Sequence, residues 1–118
     1  MRVLLVDDET ELVSTVAERL SFRGIGADWV TTGQEALQLA RENDYDIAVL
    51  DVKMPSMSGL ELAREIRKLK PGLAIIFLTG HGSQADFDEG VSQAGEEYYL
   101  AKPIDIEVLV DKMKEILG

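Results

Sequence analysis

The sequence predicts an α/β fold: five βα units forming a parallel five-stranded sheet with helices on both faces, a doubly wound sandwich. Short apolar runs of strand length alternate along the whole chain with longer segments of helical periodicity. The runs are nearly continuous in Val, Ile and Leu, as in strands buried on both faces. Each run is separated from the next by enough chain for a right-handed helical crossover, which parallel pairing requires.

Residues 2–6 form the first run, which ends in Asp7 and Asp8. Leu12, Val13, Val16, Ala17 and Leu20 then share one helical face, and Gly24 supplies the stop. Residues 25–30 read as a weaker strand, and residues 33–43 as a helix with Ala36, Leu37 and Ala40 on one face. The third strand, residues 46–50, ends in Asp51. Residues 54–59 are a loop by composition. Leu62, Ala63, Ile66 and Leu69 mark the third helix, stopped by Pro71 and Gly72. Residues 73–78 are the most hydrophobic run. Residues 83–94 read as a weak fourth helix, with Phe87, Val91 and Ala94 on one face and Gly90 inside it at a cost of roughly 1 kcal/mol relative to Ala. Residues 98–100 are a short fifth strand. Residues 104–117 are the last helix, with Ile104, Val108, Leu109, Met113 and Ile116 predicted to face inward and Ile106 and Val110 off that stripe. Trp29 on the second strand reads as a packing residue.

The chain has 118 residues, one domain's worth spanning 1–118, and at this size roughly two thirds of the unfolded surface can be buried. Hydrophobic residues make up 46% and charged residues 29%, the balance of a globular chain. The formal net charge of −10 argues against direct nucleic-acid binding by this domain and against adhesion to an anionic membrane. Without cysteine there can be no disulfide, thiol nucleophile or metal–thiolate site. The first strand begins almost at residue 1, which leaves no room for a signal peptide, and no apolar run reaches the roughly 20 residues of a membrane helix. The expected location is cytoplasmic.

In an open parallel sheet, ligands bind at the carboxyl ends of the strands. Here those ends carry Asp7, Asp8 and Glu9 after strand one, Asp51 after strand three, Thr79 after strand four, and Lys102 and Pro103 after strand five. Crowded carboxylates repel one another unless a cation sits among them. A hard divalent ion such as Mg²⁺ suits one or two carboxylates and keeps water or phosphate oxygens as its other ligands. A carboxylate can attack phosphorus to form an acyl phosphate, and the metal, Lys102 and Thr79 would then meet the charge on the transferring oxygens. Taken singly, these residues read as turn, cap and surface groups. Their coincidence at four strand ends points to phosphoryl chemistry.

The chain resembles a response-regulator receiver domain along its whole length. The resemblance rests on Val-Leu-Leu-Val-Asp-Asp-Glu at 3–9, Val-Leu-Asp-Val-Lys-Met-Pro-Ser-Met-Ser-Gly-Leu at 49–60, Phe-Leu-Thr-Gly at 77–80 and Tyr-Leu-Ala-Lys-Pro at 99–103. It implies a flavodoxin-like sheet of order 2-1-3-4-5. It also implies phosphoryl transfer from a histidine kinase or histidine phosphotransfer protein onto an aspartate, matched here by Asp51. Asp7, Asp8, Asp51 and the backbone carbonyl of Lys53 match the Mg²⁺ ligands, a site Mn²⁺ could also fill. Thr79 and Lys102 match the phosphate-contacting pair, and Thr79 and Tyr99 the switch residues. The peptide bond before Pro103 matches one held cis. The resemblance further implies an output domain or target protein controlled through the face of helix four, strand five and helix five, or a homodimer through that face. Ile106 and Val110 are its expected apolar contributors.

Some positions vary from the commonest pattern. Gly80 follows Thr79, Lys53 stands two residues after Asp51, and His81, the only histidine, reads as a loop residue near the rim. Lys53 and His81 are expected to hinder hydrolysis of an acyl phosphate. An aspartyl phosphatase would need an acid where Lys53 stands. A flavin carrier would need a phosphate loop where Asp7, Asp8 and Glu9 stand. A phosphorylation-independent pseudo-receiver is the remaining alternative, though no acidic-pocket position is empty.

Overall fold

The computed structural model describes residues 1–80 and 98–118. Five parallel strands, β1 (Arg2–Val6), β2 (Gly26–Val30), β3 (Ile47–Asp51), β4 (Ala74–Thr79) and β5 (Tyr99–Ala101), pair in the order β2-β1-β3-β4-β5. The described helices are α1 (Thr10–Ser21), α2 (Gly33–Glu42), α3 (Gly59–Leu69) and α4 (Ile106–Leu117). The fourth helix predicted for residues 83–94 and the rim position of His81 lie outside the described residues. The strand order is the one the resemblance implied, and most element ends fall within two residues of the sequence reading.

Strand alternation divides the core in two. Val3, Leu5, Ile47, Val49, Ile76 and Leu78 face α1 and α4, meeting Val13, Val16, Leu20, Leu109 and Met113. Leu4, Val6, Ala48, Leu50, Ile75 and Phe77 face α2 and α3, meeting Ala36, Leu60, Leu62, Ala63 and Ile66. Three helices start on residues suited to accept from their first-turn N–H groups. Thr32 caps α2, with Glu35 N–H donating to Oγ1 at 3.2 Å, and Ser58 caps α3 in the same way through Glu61. Asp105 Oδ1 accepts from the N–H groups of Glu107 and Val108 to start α4.

The last helix corrects the sequence reading. Val108, predicted to face inward, is 49% exposed, whereas Val110, predicted to lie off the core, is 4% exposed. Ile106, also placed off the core, packs against the α1 side. The helix starts at Ile106 rather than 104, and its inward stripe is Ile106, Leu109, Val110, Met113 and Ile116. Two apolar stripes compete on this helix, and packing against α1 selects one. The apolar patch expected from Ile106 and Val110 is therefore core. Leu69, placed on the inner face of α3, is exposed, and Leu60 takes its place in the core. Trp29, read as a packing residue, is 40% exposed on the edge strand β2.

The amino ends of the strands are tied by a polar cluster. Arg2 N–H donates to Asp46 Oδ2 at 2.7 Å, and Asp46 N–H returns a bond to the Arg2 carbonyl at 2.9 Å. Asp28 Oδ2 accepts from both the Arg2 guanidinium at 3.0 Å and the Tyr45 hydroxyl at 2.7 Å. The guanidinium carbon lies 5.1 Å from the centre of the Tyr45 ring. Burial and the adjacent Asp28 carboxylate push the Tyr45 hydroxyl well above the ordinary phenol range.

Candidate functional site

Strand register builds the site. Val3 pairs with Ile47 and Leu5 with Val49, so these residues share one face of the sheet. Two residues further along each strand the same alternation delivers Asp7 and Asp51 side by side at the carboxyl edge. Asp8 follows directly. The three carboxylates each offer an oxygen within 4.8 Å of the others, with Asp7 1% and Asp51 4% exposed. β5 brings the counterion. Lys102 N–H bonds to the Thr79 carbonyl at 2.7 Å, which extends the β4–β5 ladder and aims the lysine across the site. Its ammonium lies 2.8 Å from Asp7 Oδ2, 3.3 Å from Glu9 Oε1 and 3.4 Å from Asp51 Oδ1. The Lys102–Pro103 peptide is cis.

The charges do not balance. Burial, with the adjacent Asp7 carboxylate, raises Asp51 to about 6 in spite of Lys102. Burial also opposes the charge on Lys102, but Asp7, Asp51 and Glu9 outweigh it and hold the ammonium well above the ordinary lysine range. The Lys102 ammonium thus serves three carboxylates, with Asp8 beside them. Asp7 Oδ1 accepts from Glu9 N–H at 2.9 Å. Asp7 Oδ2 is buried, with the Lys102 ammonium at 2.8 Å as its counterion. Three carboxylates with oxygens within 4.8 Å of one another are a donor set suited to a hard divalent cation. Above it opens a cleft of about 540 Å³, lined by Asp8, Glu9, Asp51, Lys53 and Lys102 among others.

Thr79 ends β4, half-buried. Tyr99 lies on β5 opposite Phe77, two residues before Thr79, with the two rings 5.9 Å apart. Lys53 stands exposed on the cleft's rim. The structure thus gathers Asp7, Asp8, Asp51 and Lys102 into contact range, with Thr79 and Lys53 at the edge and Tyr99 behind.

Sequence reasoning gave no role to Gly59, the first residue of α3. A Cβ there would overlap the carbonyl of Asp51, and Gly59 N–H bonds to the Val52 carbonyl at 2.9 Å. The absent side chain lets α3 press on the strand end that carries Asp51. The spacing of Ser58 and Glu61, an N-cap signature, marks the start of α3 but not its approach to Asp51.

Residues 3–114 match the family model of the response regulator receiver domain. The chain belongs to that family. It is 37% identical over 117 residues to the response regulator MprA of Mycobacterium sp. (strain KMS), a match covering 99% of this chain and 50% of the relative. It is 35% identical over 115 residues to the probable transcriptional regulatory protein TcrX of Mycobacterium tuberculosis, covering 98% of this chain and 49% of TcrX. The receiver domain therefore spans about half the length of these curated relatives. Among solved structures, a CheY-like response regulator receiver domain protein from Methanospirillum hungatei JF-1 superposes with a TM-score of 0.91 at 32% identity, covering 98% of this chain and 92% of that one. A response regulator from Burkholderia pseudomallei, solved with a phosphorylated aspartic acid and a calcium ion, superposes at 0.85 with 29% identity, covering 98% and 69%. This chain is a receiver domain of two-component signalling, and among its described residues no helix is long and apolar enough to cross a membrane.

Proposed function

We propose that this receiver domain takes a phosphoryl group onto Asp51 from the phosphohistidine of a histidine kinase or histidine phosphotransfer protein. The observation that carries the reading is Asp51 itself: a buried, strand-end carboxylate between one ammonium and two further carboxylates, facing an open cleft. In the transfer, an Asp51 carboxylate oxygen bonds to phosphorus as the P–N bond to the donor imidazole breaks. The electron pair stays on the leaving nitrogen. Asp51 is ionised above about pH 6 and can act as nucleophile at neutral pH.

Asp7, Asp8, Asp51 and the Lys53 carbonyl are the proposed holders of Mg²⁺, or of Mn²⁺ in its place. The ion would supply charge neutralisation for the transferring oxygens. Lys102 supplies the protein's own positive charge to one of those oxygens, and Thr79 offers a hydroxyl to another. Drawing Thr79 toward the phosphoryl group leaves space behind it for Tyr99, which couples the site to the β5–α4 face. The phosphorylated aspartic acid of the Burkholderia relative supports this chemistry for the fold. The length of the relatives, one of them a probable transcriptional regulatory protein, supports an output carried outside this domain.

Mass spectrometry after treatment with acetyl phosphate tests the reading. The expected result is a gain of one phosphoryl group that requires Mg²⁺ and is lost in Asp51→Asn. Undiminished labelling of the variant, or none in the wild type, overturns it.

A further inference from the structure

We propose that Glu9 is a positioning residue acting through Lys102: it competes with the phosphoryl group on Asp51 for the ammonium and thereby weakens the site's hold on that group. The inference rests on Asp51 being the phosphoacceptor and adds a regulating residue to that site.

Glu9 occupies the N-cap of α1 in an extended conformation and makes no side-chain cap. Ser, Thr, Asp and Asn are preferred there because their short side chains reach the free N–H groups of the first turn. The longer Glu9 side chain reaches across the cleft instead, bringing Oε1 to 3.3 Å from Lys102 Nζ. Its backbone takes part as well. Glu9 N–H holds Asp7 Oδ1 at 2.9 Å, leaving Oδ2 to the ammonium at 2.8 Å. Both anchors belong to the turn between β1 and α1. The contact with Asp51 is the longest of the three, at 3.4 Å.

Lys102 has three N–H donors and meets three carboxylates at rest. Phosphorylation converts the Asp51 carboxylate, the most distant of the three at 3.4 Å, into an acyl phosphate whose phosphoryl oxygens are stronger acceptors and draw the ammonium toward them. Asp7 is fixed by burial and by its backbone donor, whereas the Glu9 side chain is 61% exposed and can be released to water. Glu9 is therefore the partner that gives way as the ammonium moves toward the phosphoryl group, and its pull opposes that movement. Removing its carboxylate removes a competitor and leaves the metal-facing carboxylates in place.

Beryllofluoride binding to the full chain at saturating Mg²⁺, followed by amide spectra, reads the effect without turnover. Glu9→Gln should bind the probe about two- to fivefold more tightly, the range a solvent-screened ion pair spans. Glu9→Asp separates contact from field. It keeps the charge but is one methylene too short to hold Nζ, so it should tighten binding to a similar degree. Unchanged or weaker binding in Glu9→Gln overturns the proposal, as does wild-type affinity in Glu9→Asp. A wild type that binds no beryllofluoride overturns the phosphoacceptor reading, and the inference falls with it.

Discussion

The two ends of the sheet use the same residue types to opposite effect. At the amino end, Arg2 meets Asp28 and Asp46, Tyr45 meets Asp28, and Lys70 meets Asp44 at 2.7 Å. Its ion pairs are largely open to water, and the ordinary sign prevails: the Lys70 ammonium lowers the Asp44 carboxyl. At the carboxyl end, Asp7, Glu9 and Asp51 share Lys102 with Asp8 alongside, two of the carboxylates are buried, and Asp51 is pushed up to about 6. One cluster fastens three strands. The other stores unfavourable charge that a cation or a proton can relieve. Carboxylate count does not distinguish them; desolvation and the ratio of cations to carboxylates do.

The largest expected effect lies beneath the carboxyl end. Helix propensity alone predicts that Gly59→Ala stabilises by roughly 1 kcal/mol. The overlap with the Asp51 carbonyl predicts the reverse, a loss of about 3 kcal/mol as overpacking forces the backbone apart. Chemical denaturation reads the sign directly, and a stabilised variant would show that α3 does not press on the strand end.

Lys102→Met should follow. It leaves Asp7 and Asp51 buried without their cation, at an expected cost of about 2–3 kcal/mol at pH 8. Part of the loss should return at pH 5, where Asp51 takes a proton, and part with millimolar Mg²⁺. A loss independent of both pH and Mg²⁺ would mean that the lysine acts by packing.

Asp51→Asn should stabilise. The folded-state value near 6 lies above the unfolded value of 3.8, so the native state binds the proton more tightly. The carboxyl's favourable contribution is complete below about pH 4 and is lost as pH rises through 6. At pH 7.5 the wild type bears the whole cost and the amide none, an expected gain of about 1–2 kcal/mol after allowance for solvent screening. The gain should vanish below pH 4 and shrink with Mg²⁺. A constant gain across pH would remove the electrostatic explanation.

The smallest effect belongs to the amino end. Tyr45→Phe deletes one hydrogen bond to Asp28 and should cost about 1 kcal/mol, with Mg²⁺ response and phosphoryl labelling unchanged. A changed Mg²⁺ response would show that the two ends are coupled through the strands.

Much of this was legible in the chain. Continuous apolar runs gave the strands, because burial on both faces leaves no room for alternation. Asp7, Asp8, Asp51 and Lys102 could be placed at one edge because a parallel sheet sends all its carboxyl ends the same way. Gly59 was not legible, since its role depends on an approach to the Asp51 carbonyl that the sequence does not record. Glu9 was visible as a charge but not as a partner of Lys102, which lies 93 residues away along the chain.

The sequence by itself determined the layered α/β architecture and the residue types at the strand ends, because periodicity and strand polarity are local properties of the chain. Tertiary structure alone decided which stripe of α4 is core, with Val110 buried and Val108 exposed. It also decided that the Lys102 ammonium is shared among three carboxylates, and that Asp51 is raised rather than lowered. Those outcomes depend on distances and desolvation between segments remote in sequence, which no local pattern encodes.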